Sequence, residues 1–107
     1  GRGTSHSLPS AAAKYWGLSV RRVHKSRMEE VKQALQEGAL AVVICKEYSI
    51  TGSGSGHYIV LTGVTAEGYF TIADPASRER SGRLYSVDTI RSYARDLEAG
   101  SIWLIST

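Results

Sequence analysis

From Ala39 to Cys45 the chain reads Ala-Leu-Ala-Val-Val-Ile-Cys, with no polar side chain, between Glu37-Gly38 on one side and Lys46-Glu47 on the other. A run this short is far below the ~20 apolar residues of a membrane span and fits a buried strand. A buried strand needs pairing partners, so the run calls for a central place in a sheet. The next segments supply partners. His57-Tyr-Ile-Val-Leu-Thr-Gly-Val64 and Tyr69-Phe-Thr-Ile-Ala73 are rich in β-branched and aromatic residues, and Thr65-Ala-Glu-Gly68 between them is a hairpin signal. Asp74-Pro75 stops the second strand, because proline has no N–H to give to a ladder.

Helices flank these strands. Ser7-Leu-Pro9 followed by Ala-rich sequence to Trp16 reads as a short helix, with proline in its first turn and Gly17 in the left-handed position after its end. Leu18 to Val23 is extended. Ser26-Arg-Met-Glu29 has the spacing of a capping box, opening a helix that places Met28, Val31, Ala34 and Leu35 on one face and ends at Gly38. A loop from Ala76 to Leu84 precedes a helix capped by Ser86, with Val87, Ile90, Tyr93 and Ala94 on one side, and Ser101-Ile-Trp-Leu-Ile105 is a last strand after Gly100. The order is helix, helix, strand, hairpin, helix, strand: an α+β fold with a mostly antiparallel sheet.

Composition closes off several function classes. A chain of 107 residues with 42% hydrophobic content is one small domain. Its net charge of +3 comes from dispersed side chains. Arg21, Arg22, Lys25 and Arg27 are the densest group, and the helix that follows carries Glu29, Glu30 and Glu37, so a nucleic-acid surface is not expected. One cysteine, Cys45, excludes an intrachain disulfide and a cysteine cage for a metal. His6, His24 and His57 are widely spaced, without the short ligand pairs of a zinc site. No cofactor, metal or membrane span is expected. The glycines of Ser49 to Gly56 make a surface loop, with neither the lysine nor the helix start of a phosphate-binding loop.

The chemistry rests on the hairpin. With a two-residue turn on Ala66-Glu67, opposed residues have numbers summing to 133, and Asp74 then faces Ile59 and lies diagonal to His57 on one sheet face. Diagonal neighbours are ~7–8 Å apart, within reach of an imidazole and a carboxylate. A one-residue slip puts Asp74 on the other face. A carboxylate accepting from Nδ1–H fixes the tautomer and leaves Nε2 to take a proton from a nucleophile, the base-and-orienter half of a triad. The plainer reading makes His57 a strand-start residue and Asp74 a turn former.

Gly56-His57-Tyr-Ile-Val-Leu-Thr-Gly63 and Gly68-Tyr-Phe-Thr-Ile-Ala-Asp74-Pro75-Ala-Ser77 resemble the His and Asp strands of the bacteriocin-processing-peptidase-like family, family thirty-nine of the cysteine peptidases. Gly3-Thr4-Ser5-His6, Tyr15-Trp16-Gly17-Leu18, the helix ending at Gly38 and Ser101-Ile-Trp-Leu resemble it in order and spacing. The resemblance implies a papain-like partial domain, with residues 1–107 as the part that follows the nucleophile. It implies His57 as general base and acid, Asp74 as orienting residue, and a peptide or protein substrate in an extracellular or cell-envelope setting in bacteria. The family's nucleophilic cysteine stands at a helix start, where the dipole lowers a thiol pKa. Cys45, on a buried-type strand twelve residues before His57, does not match it and is expected in the core.

The chain is therefore expected to be a fragment of a cysteine peptidase, inactive alone, with an apolar face open to self-association where a preceding segment would pack. The alternative is a non-catalytic pseudo-peptidase module that binds peptide or cell-wall material.

Overall fold

The computed structural model describes residues 17–50 and 57–107, so the helix expected from Ser7, His6, and the loop from 51 to 56 lie outside the described residues. Six strands form one sheet: β1 (Ser19–Val23), β2 (Leu40–Cys45), β3 (His57–Val64), β4 (Phe70–Ala73), β5 (Leu84–Tyr85) and β6 (Ile102–Ser106). Three helices accompany them: α1 (Met28–Gln36), α2 (Arg78–Ser81) and α3 (Val87–Tyr93). The spatial order is β1-β6-β2-β3-β4-β5, and each pairing is antiparallel. This is the α+β, papain-like architecture.

The apolar run does take a central place, between β6 and β3. It is not buried on both faces. Ala41, Val43 and Cys45 have no exposed surface, whereas Val42 and Ile44 are half-buried and Leu40 is 44% exposed. The buried set faces α1 and α3: Ile59 and Leu61 of β3, Phe70 and Ile72 of β4 and Ile102 and Leu104 of β6 join Met28, Val31, Leu35 and Ile90 in one core. Each such side chain contributes ~1.5–3 kcal/mol by leaving water.

Local chemistry explains most element ends. Ser86 Oγ accepts from the Thr89 amide at 3.1 Å and starts α3. Gly100, at φ +108°, lies under β1, where a Cβ would sit 2.2 Å from the Val23 carbonyl oxygen. Only glycine fits both that backbone and that space.

Three expectations are corrected. The capping box at Ser26 does not form: Arg27 is the N-cap of α1 with no side-chain cap. The Ser26 amide donates to His24 Nδ1 at 3.1 Å, its hydroxyl lies 2.9 Å from the same nitrogen, and Glu29 pairs with Lys32 instead. The segment from Ala76 to Leu84 is not a plain loop but holds α2 and leads into β5.

The third correction concerns the hairpin. Its turn spans three residues, with Gly68 at φ +91°; the Gly68 amide donates to the Thr65 carbonyl at 2.9 Å, and Thr65 N–H donates to Tyr69 O at 2.8 Å. That arrangement pairs Val64 with Phe70 and Gly63 with Thr71, one step off the expected register. A bulge between Leu61 and Gly63 removes the step, so that Leu61 faces Ile72 and Val60 faces Ala73. The Thr62 side chain at the bulge reaches Thr71 Oγ1 at 2.9 Å. Two departures cancel, and Asp74 arrives on the same face as His57.

Candidate functional site

His57 opens β3 directly opposite Cys45, the last residue of β2. Asp74 follows the last residue of β4, where Pro75 ends the ladder. The structure brings the two together: His57 Nε2 lies 2.8 Å from Asp74 Oδ1. The contact uses Nε2, not the Nδ1 expected from the triad pattern. In the neutral ring Nε2 then carries the proton and Nδ1 is the acceptor. Among the described residues no other hydrogen bond is made by the His57 ring.

The carboxylate is fully enclosed, with 0% side-chain exposure, and its hydrogen bonds are shared between its two oxygens. Oδ1 accepts from His57 and from the Ala76 amide at 2.9 Å; Oδ2 accepts from Arg80 Nε at 2.6 Å. The Asp74 amide in turn donates to Ser81 Oγ at 2.8 Å. Burial alone pushes this carboxyl up. The bonds from Arg80, the Ala76 amide and His57 outweigh burial and hold it below the usual carboxylate range. Asp74 is therefore an anion against the imidazole.

Cys45 lies across the strand pair from His57 but is fully buried, and its thiol is directed to the Val43 carbonyl at 3.8 Å. Burial, reinforced by the Asp74 charge and only partly offset by Arg95, pushes its pKa up to about 12. It is a core thiol with neither access nor ionisation for attack. His24 is engaged with Ser26. Among the described residues no group of three or more His, Cys, Asp or Glu side chains is placed to hold a metal ion, and no helix is long and apolar enough to cross a membrane.

Sequence reasoning missed Arg80 and Ser81. Their helix, α2, has four residues, too few for periodicity to register. The available signal was Asp74-Pro-Ala-Ser77: an Asx turn followed by a serine N-cap, whose Oγ accepts from the Arg80 amide at 3.0 Å.

An antiparallel papain-like sheet with a buried aspartate bonded to a histidine defines the class: a cysteine-peptidase-like fold. Comparison with known families agrees. The chain belongs to the Peptidase_C39 like family, whose sequence pattern matches residues 2–104. No curated protein and no solved structure gives a significant match.

Proposed function

We propose that His57 and Asp74 are the base and the orienting residue of a site that cleaves peptide bonds, in which the nucleophilic cysteine is supplied from outside these 107 residues. The observation that carries this is the 2.8 Å contact between Nε2 and a buried, anionic Asp74, which leaves Nδ1 as the proton acceptor. A thiol placed at Nδ1 would lose its proton to His57 and attack the substrate carbonyl. The imidazolium, stabilised by Asp74, would then protonate the leaving amine, and water would release the acyl group. Residues 1–107 are then the C-terminal part of the catalytic domain, acting in a bacterial extracellular or cell-envelope setting, a placement that rests on the family.

The test is the parent gene. A cysteine upstream at a helix start, together with turnover of a peptide substrate by the parent chain that falls at least ~10³-fold in His57→Ala, supports the reading. Turnover unchanged by that substitution, or clear hydrolysis by the 107-residue chain alone, refutes it.

The second reading, a pseudo-peptidase that holds peptide or cell-wall material without cutting it, is favoured by one observation. The chain's only cysteine is a buried thiol at about 12. Absence of an upstream cysteine together with saturable peptide binding selects this reading. Self-association over the sheet face opposite α1 belongs to the proposal in either case. Leu40 and Tyr58 are exposed on that face at 44% and 49%, beside half-buried Val42, Ile44, Val60 and Ile105. A strictly monomeric mass by light scattering speaks against it.

A further inference from the structure

We infer that Arg80 is the positioning residue of the His57–Asp74 pair: it locks the carboxylate's rotation and thereby fixes which imidazole nitrogen carries the proton. The inference rests on the catalytic reading of that pair, but its geometry stands apart from any activity. A carboxylate with one bound oxygen can rotate about its Cβ–Cγ bond. Here Oδ2 is held by Arg80 Nε at 2.6 Å, so Oδ1 alone is presented to the imidazole and to the Ala76 amide. A charge-assisted bond of this kind is about twice as strong as a neutral one.

Arg80 is itself placed by the short helix. Ser77 caps α2 through the Arg80 amide, and Ser81 Oγ, one residue on, accepts from the Asp74 amide at 2.8 Å and donates to the Ser77 carbonyl at 2.9 Å. One turn of helix therefore grips Asp74 by side chain and by main chain. The guanidinium also balances the buried anion, so Asp74 remains charged whether or not His57 is protonated. The Arg80 side chain is 21% exposed, which keeps its desolvation modest.

The other ionisable groups around the pair are few. Cys45 lies opposite His57 on β2, Arg95 Nε donates to the Cys45 carbonyl at 3.2 Å, Tyr58 stacks beside the imidazole with ring centroids 6.3 Å apart, and Tyr85 and Glu79 act electrostatically on Arg80. Among the described residues Arg80 is the one cation bonded to Asp74 besides His57. Its removal therefore leaves the imidazolium as the sole ionic partner of the carboxylate.

The experiment is ¹⁵N NMR of the His57 ring in the 107-residue chain across pH, for wild type and Arg80→Met. In wild type the neutral ring is expected as the Nε2–H tautomer alone. In Arg80→Met the ring is expected to show mixed-tautomer shifts, because Oδ2 is released and the carboxylate no longer holds one oxygen fixed against Nε2. Backbone amide spectra report whether the sheet is intact. A folded Arg80→Met chain with the wild-type tautomer overturns the inference.

A second readout needs no variant: the Arg80 Nε–H resonance of wild type is expected to shift with the same midpoint as His57. Its failure to follow the His57 titration also overturns the inference, including where Arg80→Met does not fold. Because neither readout requires turnover, a parent chain without peptidase activity sinks the proposed function and leaves this inference to be decided on its own.

Discussion

Replacing Asp74 by asparagine tests the site with almost no change of shape, and the structure sets the size of the effect. Three donors converge on the carboxylate: His57 Nε2–H and the Ala76 amide on Oδ1, and Arg80 Nε–H on Oδ2. A carboxylate accepts all three. An asparagine side chain has one oxygen and one NH₂, so whichever way it is turned, an N–H of Asn meets an N–H of a neighbour. With the oxygen left in the Oδ1 position, the NH₂ faces Arg80, and a buried charge loses its counterion. Breaking one member of a buried ion pair costs ~3–5 kcal/mol. Arg80 is 21% and His57 13% exposed in their side chains, so water can rescue part of that loss, and ~3 kcal/mol is the expected figure. In urea, with a slope near ~1.5 kcal/mol/M for a small domain, the unfolding midpoint of Asp74→Asn should fall by ~2 M at pH 7.

The pH dependence gives an independent check. The Asp74 carboxyl titrates lower in the folded chain than in the unfolded one, so the unfolded state binds the proton more readily. Its stabilisation is complete above the unfolded value of ~3.9 and is lost as pH falls through the lower, folded value. The urea midpoints of wild type and Asp74→Asn should therefore approach each other below about pH 3.5. A midpoint drop under ~0.3 M at pH 7, or a gap that stays constant down to pH 2, would refute the assignment of Asp74 as a buried, triply bonded anion.

Deleting Thr62 should remove the bulge while leaving Leu61 opposite Ile72 and Asp74 on the His57 face; the expected result is a retained Nε2–H tautomer in ring ¹⁵N spectra, and its loss argues against Thr62 as the extra residue of the bulge. Gly100→Ala should cost ~3 kcal/mol or more, because φ of +108° and a Cβ 2.2 Å from Val23 O both oppose it, and an unfolding midpoint within ~0.3 M of wild type counts against this. Cys45 should react with a thiol reagent such as DTNB only as the chain unfolds in urea, since its side chain is buried and its thiol is at about 12. Rapid modification of the native protein contradicts the core placement.

The sequence by itself determined the sheet's membership and centre. The run to Cys45, the His57–Val64 strand and the closing Ile102 segment carry their strand propensity locally, and Ser86 and Gly38 mark helix ends through their own side-chain and backbone chemistry. The pairing of His57 with Asp74 was legible as a register hypothesis, because side chains alternate across a strand with period two and seventeen residues of hairpin separate the pair. Tertiary structure decided what period alone cannot. The Gly68 turn and the Thr62 bulge each shift the register by one, and neither shift is visible in hydrophobic patterning, yet only their sum keeps Asp74 on the inner face. Which imidazole nitrogen meets the carboxylate also depends on how the ring stands over the sheet, a relation between two strands. Arg80 is the clearest case: a charged residue in a stretch without periodicity is indistinguishable from a surface side chain until the fold brings it to 2.6 Å from a buried anion.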